Sequence, residues 1–114
     1  MAEAFSIECL QGPGYVHVVP IGELDLSTVP ALDQLLESEQ RRPHAVVLLD
    51  LRKVTFLDST GIHCLIRAED RAREHGSELT IVRGGSQVQR ALQVTGLDHI
   101  LPLADEPPVP DGAR

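Results

Sequence analysis

Tryptophan is absent, and one Tyr and two Phe complete an aromatic content of 3% in 114 residues. A surface that stacks on nucleobases is therefore missing. Basic residues are also scarce: 10 Lys and Arg stand against 17 Asp and Glu, a formal charge of −7 with neutral histidine. Nucleic-acid binding rests on neutralising phosphates, so that class is set aside. The same acidity favours solubility and repels anionic lipid surfaces. Cysteine is limited to Cys9 and Cys64, far apart and outside any CxxC, which is too little for a secreted disulfide scaffold. The longest uninterrupted apolar run is Ala45–Leu49, against the ~20 residues a membrane span requires. Met1–Phe5 shows neither a basic n-region nor an apolar h-region. These absences describe a reduced cytoplasmic protein that does not insert in a membrane. A monomer is the expectation for so acidic a small domain.

What remains is ordinary globular material, with 42% apolar residues and length for one core. Phe5, Ile7 and Cys9 alternate with Ser6 and Glu8, as in a half-buried strand, and both cysteines read as small buried apolar residues. Gly12-Pro13-Gly14 is a turn signal before a second β-rich run, Tyr15–Ile21, and the two runs predict an antiparallel hairpin. Pro20 cannot donate to a ladder and is expected at an edge or a bulge. Asp25, Ser27 and Thr28 are N-cap types, and Pro30 suits a first turn. Val29, Leu32, Leu35 and Leu36 then predict a helix over 28–40, with Arg41-Arg42 complementing its C-terminal dipole.

Ala45–Leu51 reads as a strand buried on both faces. A second helix is predicted over 59–74, with Ile62, Leu65, Ile66 and Ala72 inward and a mixed-charge solvated face outward. Leu79–Val82 is another buried strand. Gly84-Gly85 turns into a third helix near 86–95, where Val88, Ala91, Leu92 and Thr95 share a face and Gly96 closes the end. Ile100, Leu101 and Leu103 suggest a last short strand. The order β-β-α-β-α-β-α, with that final β, predicts an α/β sandwich: a mixed, mostly parallel sheet opened by an antiparallel hairpin, with helices packed on it. Residues 1–104 form the expected domain, and 105–114 a flexible Pro-rich tail.

Catalytic signals are thin. His17, His44, His63, His75 and His99 are scattered without metal-ligand spacing. Gly84-Gly85-Ser86 lacks the Lys-Ser/Thr of a phosphate loop. Pairing Glu23 with Asp25, or Asp50 with Asp58, as an acid–base dyad has no support from sequence. No cofactor or metal is called for. The stretch Val54–Ile62 is more informative, because Asp58, Ser59 and Thr60 fall where the first N–H groups of a helix lack partners. Taken alone, Asp58 or Ser59 is an N-cap and Gly61 permits a tight first turn. The capping box is missing, since Gly61 and Ile62 stand where Glu or Gln would be needed.

Three segments in register resemble the STAS family of bacterial anti-sigma factor antagonists and sulfate-transporter cytoplasmic domains. Gly22-Glu23-Leu24-Asp25 is similar to its G-E-L-D segment, Asp58-Ser59-Thr60-Gly61 to its D-S-[ST]-G phosphorylation motif, and Thr95-Gly96-Leu97-Asp98 to its T-G-L-D segment. The likeness spans about residues 5–103; Pro20, His63-Cys64 and the Pro-rich end depart from it. The resemblance implies a non-enzymatic partner switch governing sigma-factor-dependent transcription. In that family the unmodified antagonist binds an anti-sigma factor that is also a serine kinase. Modification of the residue matching Ser59 ends the binding, and a PP2C-type phosphatase resets it. Asp25, Asp58, Ser59, Thr60 and Gly61 are the implied partner-binding residues. A permanent subunit, on a lipid ABC transporter or in a stressosome, is the alternative implied by the same family.

Overall fold

The computed structural model describes residues 4–108. Ser6–Gly12 (β1) and Tyr15–Leu24 (β2) form the expected antiparallel hairpin, and Gly14 takes a positive φ of 79° at the turn. Val29–Gln40 (α1) follows, then Val46–Asp50 (β3). Val54–Leu57 (β4) leads directly into Ser59–His75 (α2). Glu78–Val82 (β5), Ser86–Val94 (α3), a 3-10 turn at Leu97–His99 and Leu103–Ala104 (β6) complete the order. The sheet runs β1-β2-β3-β5-β6, and β4 pairs with β2 off this path. Apart from the opening hairpin, every pairing is parallel.

Alternation along the strands builds the core. Val16 and Val18 of β2, Val47 and Leu49 of β3, and Leu79 and Ile81 of β5 belong to one buried cluster with Leu32 and Leu36 of α1 and Leu65, Ala68 and Ala72 of α2. These positions repeat at two residues in strands and at three or four in helices, so one sheet face receives one stripe from each helix. Ile62 and Ile66 are only half-buried, while Gly61 and Cys64 join the buried set. Helices α1 and α2 are also cross-tied by polar groups. Gln40 Nε2 donates to the Ala68 carbonyl at 2.8 Å, and Arg71 Nε donates to Gln40 Oε1 at 2.9 Å. Arg67 and Arg71 both pair with Asp33.

Four expectations need correction. β4 was not foreseen, because its burial runs buried-exposed-exposed-buried without the alternation that marks a strand. The last strand is confined to Leu103–Ala104, and Ile100 is exposed beyond the 3-10 turn. Cys9 is exposed on β1, the edge strand of the sheet, whereas Cys64 is buried as expected. Pro20 lies in an interior strand, opposite Ile7 of β1. Its missing N–H is tolerated because β3 pairs with β2 only through Val18 and β4 only from Gly22. Residues 19–21 therefore have no partner on that flank. Positions 109–114 of the expected tail lie outside the described residues.

β3 is buried on both faces, and its second face carries a charge. Asp50 is 2% exposed; its carboxylate accepts from His17 Nε2 at 2.9 Å and from Arg52 Nη2 at 2.7 Å. Burial alone would raise its pKa, but the Arg52 and His17 hydrogen bonds overcome this and hold it at about 2. A carboxyl depressed below its ordinary 3.8 stabilises the fold above that value and loses its contribution as pH falls toward 2. Urea unfolding of wild type should therefore lose on the order of 2 kcal/mol across that window from this group. Asp50→Asn should be less stable at neutral pH and show a flatter acid limb.

Candidate functional site

Leu24 of β2 pairs with Leu57 of β4 in parallel, so both chains leave the sheet side by side at their C-terminal ends. The Asp58 N–H donates to the Leu24 carbonyl at 3.2 Å, extending the contact one residue beyond the strands. The loop that opens with Asp25 and the N-terminus of α2, which carries Ser59, thus become neighbours. Sequence separation hides this juxtaposition, and the unforeseen β4 creates it.

Each acidic side chain here has a defined task. Asp58 is the N-cap of α2, in extended backbone, and its Oδ1 accepts from the Gly61 N–H at 3.0 Å. Its carbonyl accepts from the Ile62 N–H at 3.0 Å, which starts the helical ladder. Asp25 organises the entry to α1: Oδ1 accepts from Ser27 Oγ at 2.7 Å, from the Ser27 N–H at 3.0 Å and from the Thr28 N–H at 3.3 Å. These donors, the Ser27 hydroxyl foremost, lower its pKa. Thr28, at the cap position of α1, accepts from the Asp25 N–H and donates to the Glu23 carbonyl.

Capping by Asp58 leaves the next hydroxyl free. Ser59 is the first residue of α2, exposed, and among the described residues its Oγ makes no hydrogen bond. Thr60 is half-buried beside it. Gly61 is buried where α2 meets the end of β2; a Cβ there would lie 2.9 Å from the Leu24 carbonyl oxygen and 2.5 Å from the Leu57 side chain. Its role is close approach, so the sequence reading of a tight first turn acquires a specific partner. Asp25, Asp58, Ser59, Thr60 and Gly61 are thereby assembled at one end of the β2–β4 pair.

One element of this surface was missed. Phe56, Leu57 and Ile62 form one wall of an apolar groove of about 540 Å³, and Arg90, Ala91 and Val94 of α3 form the other. Phe56 is 45% exposed and Val94 77%. The only available signal was the apolar flanking of the Asp58–Gly61 motif; that α3 lies opposite is a tertiary fact. Two other nominated groups, Asp50 and Cys64, lie away from this surface chemistry. Asp50 is held by Arg52 and His17, and burial pushes the Cys64 thiol up to about 12. Among the described residues no three His, Cys, Asp or Glu side chains converge as a metal site.

Comparison with known proteins resolves the family. The STAS domain model matches residues 6–107. The chain belongs to the STAS domain family. An anti-sigma-B factor antagonist of Listeria monocytogenes is 29% identical over 89 residues, 78% of each chain. Its namesake in Staphylococcus aureus is 28% identical over 96 residues, covering 84% of this chain and 89% of the relative. Among solved structures, an anti-sigma factor antagonist from Mycobacterium paratuberculosis superposes with a TM-score of 0.73 at 27% identity, over 99% and 95% of the two chains. SpoIIAA in its unphosphorylated form gives 0.70 at 18% identity over 90% of each chain, a likeness of fold. This STAS chain is therefore similar throughout to regulators of sigma factors.

The geometry makes Gly61 sensitive to a single methyl group. Gly61→Ala should cost roughly 1–3 kcal/mol in denaturant unfolding, because the contact is with backbone. Gly85→Ala is the contrast: φ is −69° and nothing lies within 4 Å of the added carbon, so only the N-cap preference of α3 is lost, at no more than about 1 kcal/mol.

Proposed function

We propose that this STAS domain is an anti-sigma factor antagonist whose binding to an anti-sigma serine kinase is switched off by phosphorylation of Ser59. The observation that carries the reading is the exposed Ser59 hydroxyl, left without an intramolecular partner by the Asp58 cap. The family membership and the names of its relatives support it. Transfer joins Ser59 Oγ to the γ-phosphorus of ATP, breaks the bond to the bridging oxygen and releases ADP; the hydroxyl proton passes to a base of the kinase. A PP2C-type phosphatase returns the hydroxyl with water and frees phosphate.

Physical magnitudes favour a local switch over refolding. An anion at a helix N-terminus changes fold stability by only ~0.3–1 kcal/mol, usually favourably. The phosphate adds about 1.5–2 negative charges beside Asp58 and Asp25. Across a docked interface, like-charge contact costs several kcal/mol, and about 1.4 kcal/mol is tenfold in affinity. The groove walled by Phe56 and Val94 adjoins Ser59 through Leu57 and Ile62, offering apolar area to the same partner. Asp25, Asp58, Thr60 and Gly61 shape this face, and the function requires no catalytic residue in this chain.

Calorimetry with the cognate anti-sigma kinase tests the reading. Ser59→Ala should bind like wild type and accept no phosphate, as read by intact mass after incubation with ATP. Ser59→Asp should bind at least about tenfold more weakly. Equal affinity of the two variants, or phosphate mapped to another residue, would overturn it.

A further inference from the structure

Within the first two turns of α2, Ser59 to Ile66, only one side chain can become a cation: His63. It is exposed, and it stands four residues after Ser59, so the two share one face of the helix. Helical side chains lean toward the N-terminus, which turns the imidazole toward the first turn. Neighbouring cations are committed or set on other surfaces. Arg67, one turn further on, pairs with Asp33 of α1 at 2.9 Å, as does Arg71 at 3.2 Å. Arg90 belongs to α3, across the groove from Ile62. Of the nearby anions, Asp58 caps α2 and Asp25 binds Ser27 and Thr28, while β4 brings no charged residue. His63 makes no ion pair among the described residues, and the capping hydrogen bonds leave it free.

We infer that His63 is a positioning residue for a phosphate on Ser59: its imidazolium pairs with the phosphate oxygens and folds the modified side chain back along α2. The inference rests on the proposed modification of Ser59 but concerns a different property, where the phosphate goes once it is attached. Formation of the pair requires only that the imidazole take a proton from solvent. A merely structural role would not predict it, since the exposed ring supports no packing.

Phosphoserine installed at position 59 during translation permits a test that no kinase need pass. The phosphorus-31 shift is followed against pH at low ionic strength in three proteins: wild type, His63→Gln and His63→Lys. The helix N-terminus and the carboxylates act equally in all three, so the comparison isolates position 63. Expected is a second phosphate ionisation at lower pH in wild type than in His63→Gln, by roughly 0.15–0.4 pH unit, the worth of an exposed i, i+4 pair. His63→Lys should restore the lower value. Superimposable titrations of wild type and His63→Gln, with amide spectra showing both folded, would overturn the inference. A shifted titration in a protein that no anti-sigma kinase binds or modifies would instead sink the proposed function and leave the His63 pairing standing.

Discussion

The constraint on which the site depends is the parallel seam between the ends of β2 and β4, sealed by the Asp58 N–H on the Leu24 carbonyl. It sets the point from which α2 departs and brings the Asp25 loop beside the helix N-terminus. It also explains Gly61, whose missing side chain lets α2 approach the Leu24 carbonyl. Without the seam, nothing would hold the Asp25 loop beside the helix turn that carries Ser59. A single hydrogen bond of this type is worth only about 1 kcal/mol net, so its importance is geometric: it sets a register.

Around the seam, polar groups divide the labour. Asp58 spends its carboxylate on the Gly61 N–H, and Asp25 spends its own on Ser27 and Thr28. Neither carboxylate hydrogen-bonds the Ser59 hydroxyl. That arrangement suits the proposed modification of Ser59, because a phosphate would alter the surface potential without displacing a structural hydrogen bond. Beneath it, the sheet and the α1–α2 cross-ties supply a rigid base.

Under the proposed function the acidic surface and the apolar groove have complementary roles. In the proposed switch a partner would gain area from Phe56, Ile62 and Val94, while charge near Ser59 would govern whether docking occurs. Apolar burial is insensitive to one added phosphate, whereas Coulomb repulsion across a desolvated interface is strongly sensitive. Separating the two terms would allow affinity and control to reside in adjacent patches.

Helix periods, turn residues and the three in-register segments carried the family, the mixed sheet and the position of Ser59, because each is encoded within a few adjacent residues. The N-cap of α2 was legible for the same reason: Asp58 and the Gly61 N–H are three positions apart. β4 was not legible, since four residues of non-alternating burial give no period to detect and their pairing partner lies some thirty positions upstream. The exposure of Cys9, the toleration of Pro20 and the opposition of α3 to Phe56 follow from which strand edges and helices meet, a matter of long-range contact. Sequence alone thus determined which side chain bears the hydroxyl and what caps its helix. Only the tertiary fold decided what stands beside it, because the seam between β2 and β4 forms through backbone groups common to all residues but proline.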